Sequence, residues 1–330
     1  MPPILSTTEA HCCLSEAFYL STPTHCPLPR DPILACIDLE WHKPKDVTPR
    51  IRFLTEIGIS TLDTRVLRST KPGQYGVEWL CQMQAFHFRP IDCRDLHYDN
   101  IDKRRNIPLD AADKFLFGTS TFVEREELGI TLTAALSIAD NEATVAFDSS
   151  PVYRNIILVG QGWNACEATM IKEHIGLNLD ALPFVTAIID TQILFMKSAD
   201  EEKKQKPGLA RLMEEYGVEL LHLHNGANDA VYTLVVLVLG TLWRDAYDKV
   251  RDSMDWERMT ATFPGMQCVG EKGIEALKRK ILGRDRVEND REDVGREPTE
   301  LESVDNIEMI FRMLRNAQKR VDGPICLTVE

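Results

Sequence analysis

Two carboxylates stand two residues apart at Asp38 and Glu40, within the run CIDLEW. Along a strand, positions i and i+2 project to the same face, so this spacing brings both acids together. Buried side by side they repel each other unless protonated or neutralised. A divalent cation is the usual neutraliser, and an all-oxygen ligand set suits Mg2+ or Mn2+. Taken alone, the pair reads first as ordinary surface acids at a strand end. Much later, the segment LHNGANDA (223–230) places His224 ahead of Asp229, with the turn signal Asn225-Gly226 between them. A histidine beside a metal-binding aspartate is what activated-water chemistry needs: the metal acidifies the water and a neutral imidazole takes its proton. The bland alternative is that Asn228 or Asp229 only caps a helix.

The elements that must position these residues follow from periodicity. Ile33–Leu39 (ILACIDL) is nearly all apolar, as a central strand should be. A polar loop from His42 to Arg52 leads to the alternating runs Leu54–Leu62 and Cys81–Arg89, which read as two further strands of an antiparallel meander. Residues 95–120 are polar and irregular, and a helix is expected within Phe122–Ala139. Arg154–Gly160 reads as a buried strand, 164–174 as a helix and Phe184–Thr191 as another strand, a spacing that implies a parallel pair with a crossover. Pro207–Tyr216 reads as a short amphipathic helix, and about Asn228–Val250 as a long apolar one. The expected fold is an α/β mixed sheet with helices on both faces, the order found in ribonuclease-H-like architectures among others. Three regions are expected: an irregular arm over 1–30, the α/β domain over 31–250, and an extension over 251–330.

The bulk properties are those of an ordinary globular chain. The 330 residues are 44% hydrophobic and 27% charged, which rules out disorder of the whole chain. Thirty-eight basic against 51 acidic side chains give a net charge of −13 and exclude a globally basic nucleic-acid coat, though not a local basic groove. Nine cysteines at irregular spacing do not make a disulfide framework, and Cys36 and Cys166 lie in apolar stretches, so a reducing compartment is expected, cytoplasmic and/or nuclear. No secretory signal is visible at the N-terminus. The longest apolar run, Ala230–Trp243, is too short to span a bilayer and reads as a core helix, so no membrane partner is expected.

In that order, CIDLEW (36–41), LTEIGISTLDTR (54–65), HFR (87–89), RNIILVGQG (154–162), IIDTQILF (188–195) and LHNGANDAVYTL (223–234) resemble the DEDDh exonucleases of the ribonuclease-H-like superfamily. The narrower likeness is to the fungal "Good for full DBP" type C-terminal domain and to the fungal Argonaute-interacting exonuclease of quelling. The resemblance covers roughly residues 30–245. It implies a metal-dependent 3′–5′ exonuclease acting on single-stranded RNA or DNA, RNA favoured, with two Mg2+ or Mn2+ ions. Asp38, Glu40 and Asp229 would ligate the metals and His224 would be the general base. Glu56 would support the site, and Asp190 would be a structural turn or cap residue. One position departs. Counting Val159 as one, the family carries an aspartate eighth, and this chain has Cys166, followed by Glu167. Three carboxylates suffice, or Glu167 substitutes as a metal ligand, or the site is weakened and the protein is a nucleic-acid or protein binding module; the sequence leaves these open.

Weaker patterns compete. Gly160–Ala165 (GQGWNA) fits a dinucleotide-binding fingerprint, but Trp163 would crowd a pyrophosphate and three strands precede it. His11, Cys12, Cys13, His25 and Cys26 match no zinc-finger spacing. Lys43, Lys45, Arg50 and Arg52, with Lys103, Arg104 and Arg105, could touch phosphates, and Trp41 could stack on a base or pack in the core. Residues 283–302 hold eight acids and four arginines and read as a solvated linker. Asn306–Arg320 has the spacing of an amphipathic helix that packs on the domain or holds a protein partner.

Overall fold

A computed structural model describes residues 2–20, 30–42, 53–73, 76–94, 111–143, 151–163, 165–196, 206–216, 218 and 220–253. Residues 43–52 of the expected connection with its basic side chains, Lys103–Arg105, His25 and Cys26, the charged stretch 283–302 and the amphipathic segment 306–320 lie outside the described residues.

Six strands form one sheet: β1 (Ile33–His42), β2 (Phe53–Asp63), β3 (Gln84–Pro90), β4 (Ser120–Val123), β5 (Ile156–Gly160) and β6 (Val185–Asp190). Their order is β4-β3-β2-β1-β5-β6. β1–β2 and β2–β3 are antiparallel, while β3–β4, β1–β5 and β5–β6 are parallel. The helices are α1 (Thr7–Ala17), α2 (Val77–Leu80), α3 (Leu128–Leu136), α4 (Ala165–Ile175), α5 (Thr191–Leu194), α6 (Leu209–Glu215) and α7 (Gly226–Ser253). This is the mixed sheet with helices on both faces expected of a ribonuclease-H-like fold.

β1 lies between β2 and β5, and both its faces are covered, which is why its first half is continuously apolar. Alternation divides it. Leu34 and Cys36 join one core with residues of α1, α2, α6 and α7; Ile33, Ala35 and Ile37 join the other with α3 and α4. Asp38 and Glu40 continue the even-numbered set, so they fall on the α7 side, where β1 passes from buried to half-buried. Over residues 227–242 α7 is buried on all sides because it is wedged between β1, β2, β3 and β5 on one side and α1, α5 and α6 on the other. By length and composition it could cross a bilayer, but 94% of its apolar window is buried inside the fold.

Two segments differ from expectation. Within the supposed irregular arm, residues 7–17 form α1, opened by a capping box: the Ser6 hydroxyl accepts from the Glu9 N–H, and the Glu9 carboxylate accepts from the Ser6 N–H at 2.9 Å. Ala10, Cys13, Leu14 and Ala17 are buried, and Pro3–Leu5 adds a backbone pairing along the β6 edge, with the Leu5 N–H donating to the Ile188 carbonyl at 2.9 Å. The S-x-x-E signature and the i, i+3, i+4, i+7 spacing of those four residues both stand in the sequence, but three of the four are the small Ala and Cys, which make a weak apolar stripe. The second is β4, which takes Ser120–Val123 ahead of a helix that begins only at Leu128. Four residues are too short for alternation to be legible.

Candidate metal centre

The site forms where the half-buried end of β1 meets the N-terminus of α7. Across the β1–β2 ladder Asp38 faces Gly58 and Glu40 faces Glu56, and a bulge follows between Glu40 and Trp41. Gly58 is where the helix lands. A Cβ there would stand 2.0 Å from the Gly226 carbonyl oxygen and 2.3 Å from the Ala227 nitrogen. No side chain fits between this strand and the first turn of α7.

The turn before α7 is locally strained and locally held. His222 and His224 adopt left-handed backbone, at φ 54° and 62°. For non-glycine residues this costs about 1–3 kcal/mol each and persists only where the surroundings impose it. Here the His224 N–H donates to Asp229 Oδ2 at 3.0 Å. The cap is neither Asn228 nor Asp229 but Asn225, whose Oδ1 accepts from the Asn228 N–H at 3.1 Å. Asn228 instead braces the loop: its Oδ1 accepts from the Leu116 N–H, and its amide donates to the Lys114 and His222 carbonyls.

Asp229 is thus left with one oxygen, Oδ1, buried and without a hydrogen-bond partner. Ligand atoms of Glu40, His224 and Asp229 all lie within 4.8 Å of one another, the one such cluster among the described residues. Asp38 shares their side of the sheet but is not in that trio. Cys166 and Glu167 lie in the first turn of α4, and their side chains are outside the described residues. The His224 ring is 74% exposed, with Nδ1 3.9 Å from Glu40 Oε1, too long for a direct hydrogen bond.

The electrostatics are those of a site short of positive charge. Burial, then Asp229 and Glu56, push the Glu40 carboxyl up to about 8, against the opposing Trp41 N–H. Burial raises Asp229 as well, with Glu56 adding to it and the His224 N–H opposing. An orphaned buried carboxylate oxygen, destabilised anions and an oxygen-rich donor set fit a hard divalent cation. Both acids titrate higher in the folded chain than in the unfolded one. Their contribution to stability is therefore full below the unfolded carboxylate range and is lost as pH rises towards 8. In EDTA, Glu40→Gln/Asp229→Asn should gain thermal stability over the wild type between pH 5 and pH 8. Mn2+ should raise the melting temperature of the wild type only. Parallel pH curves for the two proteins would contradict this.

Glu56, expected only to support the site, is joined there by His87 and Asn225, to which the sequence pattern assigns no site role. Glu56 is fully buried, and its Oε2 accepts from His87 Nε2 (3.0 Å), Asn225 Nδ2 (3.2 Å) and the Gly226 N–H (3.2 Å). Its place opposite Glu40 could have been found from hairpin register; its partners come from distant segments. Other expectations fall elsewhere. Asp190 caps α5, its Oδ1 accepting from the Gly162 and Gln192 N–H groups, each at 2.9 Å. Trp163 is buried against Gly160, where a Cβ would stand 2.7 Å from its ring, so the glycine-rich turn is filled by the protein's own indole and offers no pyrophosphate cradle. His11 pairs with Arg244 at 2.7 Å, and burial followed by that guanidinium pushes its imidazole down to about 4. Trp41 packs edge-on to His174, ring centroids 4.9 Å apart.

Over residues 33–239 the sequence matches the DEDDh_C family, described as "DNA polymerase III subunit epsilon-like, C-terminal domain". Curated proteins give no match. Among solved structures, the nuclease domain of 3'hExo, a DEDDh family member bound to rAMP, aligns at 14% identity and a TM-score of 0.35, over 68% of this chain and 94% of that one.

Proposed function

Because the chain belongs to the DEDDh_C family of DNA polymerase III epsilon-like domains, we propose that it is a divalent-metal-dependent 3′–5′ exonuclease acting on single-stranded nucleic acid, RNA in preference to DNA. The observation that carries this reading is the convergence of Glu40, His224 and Asp229 within 4.8 Å around a buried, unpartnered Asp229 Oδ1. Asp38, Glu40 and Asp229 would hold Mg2+ or Mn2+, two ions in the full form of the mechanism, with Glu167 as the fourth ligand. Bound there, divalent metal supplies acidification of the attacking water and stabilisation of the leaving 3′ oxygen. The chain's own residues do the rest. His224, exposed beside Glu40, takes the proton of the water; the His224 N–H orients Asp229; Asn225 and Gly58 fix the helix that carries it. The fungal affiliation, a protein partner bound through 306–320 and a cytoplasmic or nuclear setting belong to the same proposal.

The test is digestion of 5′-labelled single-stranded RNA and DNA with Mg2+, Mn2+ or EDTA. A ladder of products shortened from the 3′ end, absent in EDTA and faster on RNA, is expected. Intact substrate under all conditions, together with no Mn2+ binding by calorimetry, would remove the proposal.

A second reading is favoured by one residue. Cys166, where the family carries an aspartate, would leave a Mg2+ site one anionic oxygen short. A chain of this kind binds nucleic acid without efficient turnover. Cys166→Asp should then raise cleavage by about 10–100-fold, the scale on which supporting residues alter metal sites. Glu167→Gln in parallel tests whether the neighbouring glutamate already fills the role: a strong loss there, with no gain in Cys166→Asp, identifies Glu167 as the fourth acid.

A further inference from the structure

Glu56 sits where three separate parts of the fold meet. Across the ladder it faces Glu40; ahead of it in space lie Asn225 and Gly226, which open α7; behind it lies His87 on β3. All of its accepting capacity in use runs through Oε2, and Oε1 is buried without a partner. The chain of contacts continues outward. His87 is buried, and its Nδ1 is 2.7 Å from Ser120 Oγ on β4; the Ser120 hydroxyl donates to the Ala112 carbonyl at 3.3 Å. Asn225 Nδ2 also donates to the neighbouring Ala111 carbonyl at 2.8 Å, and Asn228 holds Lys114 and Leu116 of the same segment. The network therefore closes on itself: β2, β3, β4 and the 111–116 segment all grip the turn that carries His224 and Asp229.

We infer that Glu56 is a positioning residue, which with His87 and Ser120 registers the left-handed His222–His224 turn and the first turn of α7 against β1, and so sets the separation of Glu40, His224 and Asp229. The inference rests on the metal-site reading for its consequence but not for its geometry. Two physical points support it. A carboxylate facing the first N–H groups of a helix is favoured by the helix dipole, so Glu56 pins the end of α7 rather than merely filling space. A turn with two left-handed histidines needs its shape imposed from outside: Asn228 donates to the His222 carbonyl and Asp229 accepts the His224 N–H, and both lie in the first turn of α7, which Glu56 anchors at the Gly226 N–H. An ordinary buried polar pair would stabilise the whole domain without favouring one turn.

The test uses the full chain and reads the turn directly. Hydrogen exchange is followed by peptide in the wild type, Glu56→Gln and Ser120→Ala, and Mn2+ affinity is measured by calorimetry on each. In Glu56→Gln, exchange across 222–229 should rise by about tenfold or more while peptides from β5 and α1 keep wild-type rates, the pattern of a local opening. Mn2+ should bind about tenfold more weakly. A folded Glu56→Gln with unchanged exchange at 222–229 overturns the inference, as does a uniform rise over the whole domain. If Glu56→Gln does not fold, Ser120→Ala decides: it leaves the carboxylate in place and should loosen 222–229 selectively, and no selective loosening overturns the inference. If the wild type itself binds no Mn2+, the metal-site reading fails, while the exchange data still judge Glu56.

Discussion

Asp229→Ala should abolish metal-dependent cleavage, by at least about 10³-fold, the scale expected when a central member of a catalytic constellation is removed. The reason is geometric. Asp229 is the buried member of the trio with Glu40 and His224; it keeps Oδ1 free of partners, and its Oδ2 accepts the His224 N–H. On the proposed mechanism, truncation would remove a metal ligand and at the same time release the backbone of His224, the proposed general base. The fold should survive, because what is lost is a destabilised carboxylate: burial and Glu56 both raise Asp229, and removing an uncompensated buried charge is neutral or stabilising. Melting in EDTA at pH 8 should therefore match or exceed the wild type while single-turnover cleavage falls to background. Asp38→Ala, made alongside, should also lose cleavage if Asp38 shares the metals; retained activity would remove it from the ligand set. Full activity in Asp229→Ala would dismiss the site.

Gly58→Ala should cost both stability and activity, although it adds a single methyl group. Its Cβ would stand 2.0, 2.1 and 2.3 Å from three backbone atoms of Gly226 and Ala227. Backbone cannot rotate aside as a side chain can, so α7 must lift from β2. We expect a loss of about 3 kcal/mol, at the upper end of overpacking penalties. Lifting this end of the helix also moves Asp229 away from Glu40, so Mn2+ affinity should fall in the protein that remains folded. Gly208→Ala is the control: a Cβ there meets nothing within 4 Å, and the loss should stay within about 1 kcal/mol, what alanine costs against glycine at a helix N-cap. Denaturant melts of the two variants decide the matter, and equal midpoints would show that the strand–helix approach is looser than the distances imply.

Elements with strong local signals are legible along the chain. β2 and β3 follow from period-two runs, β1, β5 and β6 from buried apolar runs, the last two closed by Gly160 and Asp190, and α7 from the uninterrupted stretch after Asp229. The pairing of Asp38 with Glu40 was legible because alternation is a purely local property, and His224 and Asp229 because they lie within one turn of chain. α1 is faint because small Ala and Cys side chains make up most of its i, i+3, i+4, i+7 stripe, and β4 because four residues are too few for alternation. Tertiary structure alone decided the rest. It chose Asn225 over Asn228 and Asp229 as the helix cap, and set Asn228 to bracing the 114–116 segment. It brought Glu40 to within ligand distance of residues almost two hundred positions away. It made Glu56 a hub, because the charge of a buried carboxylate must be answered by donors, and those donors come from β3 and from the start of α7. Local pattern fixes which face a side chain points to; which partner meets it there depends on how sheet and helix pack, and no spacing along the chain encodes that.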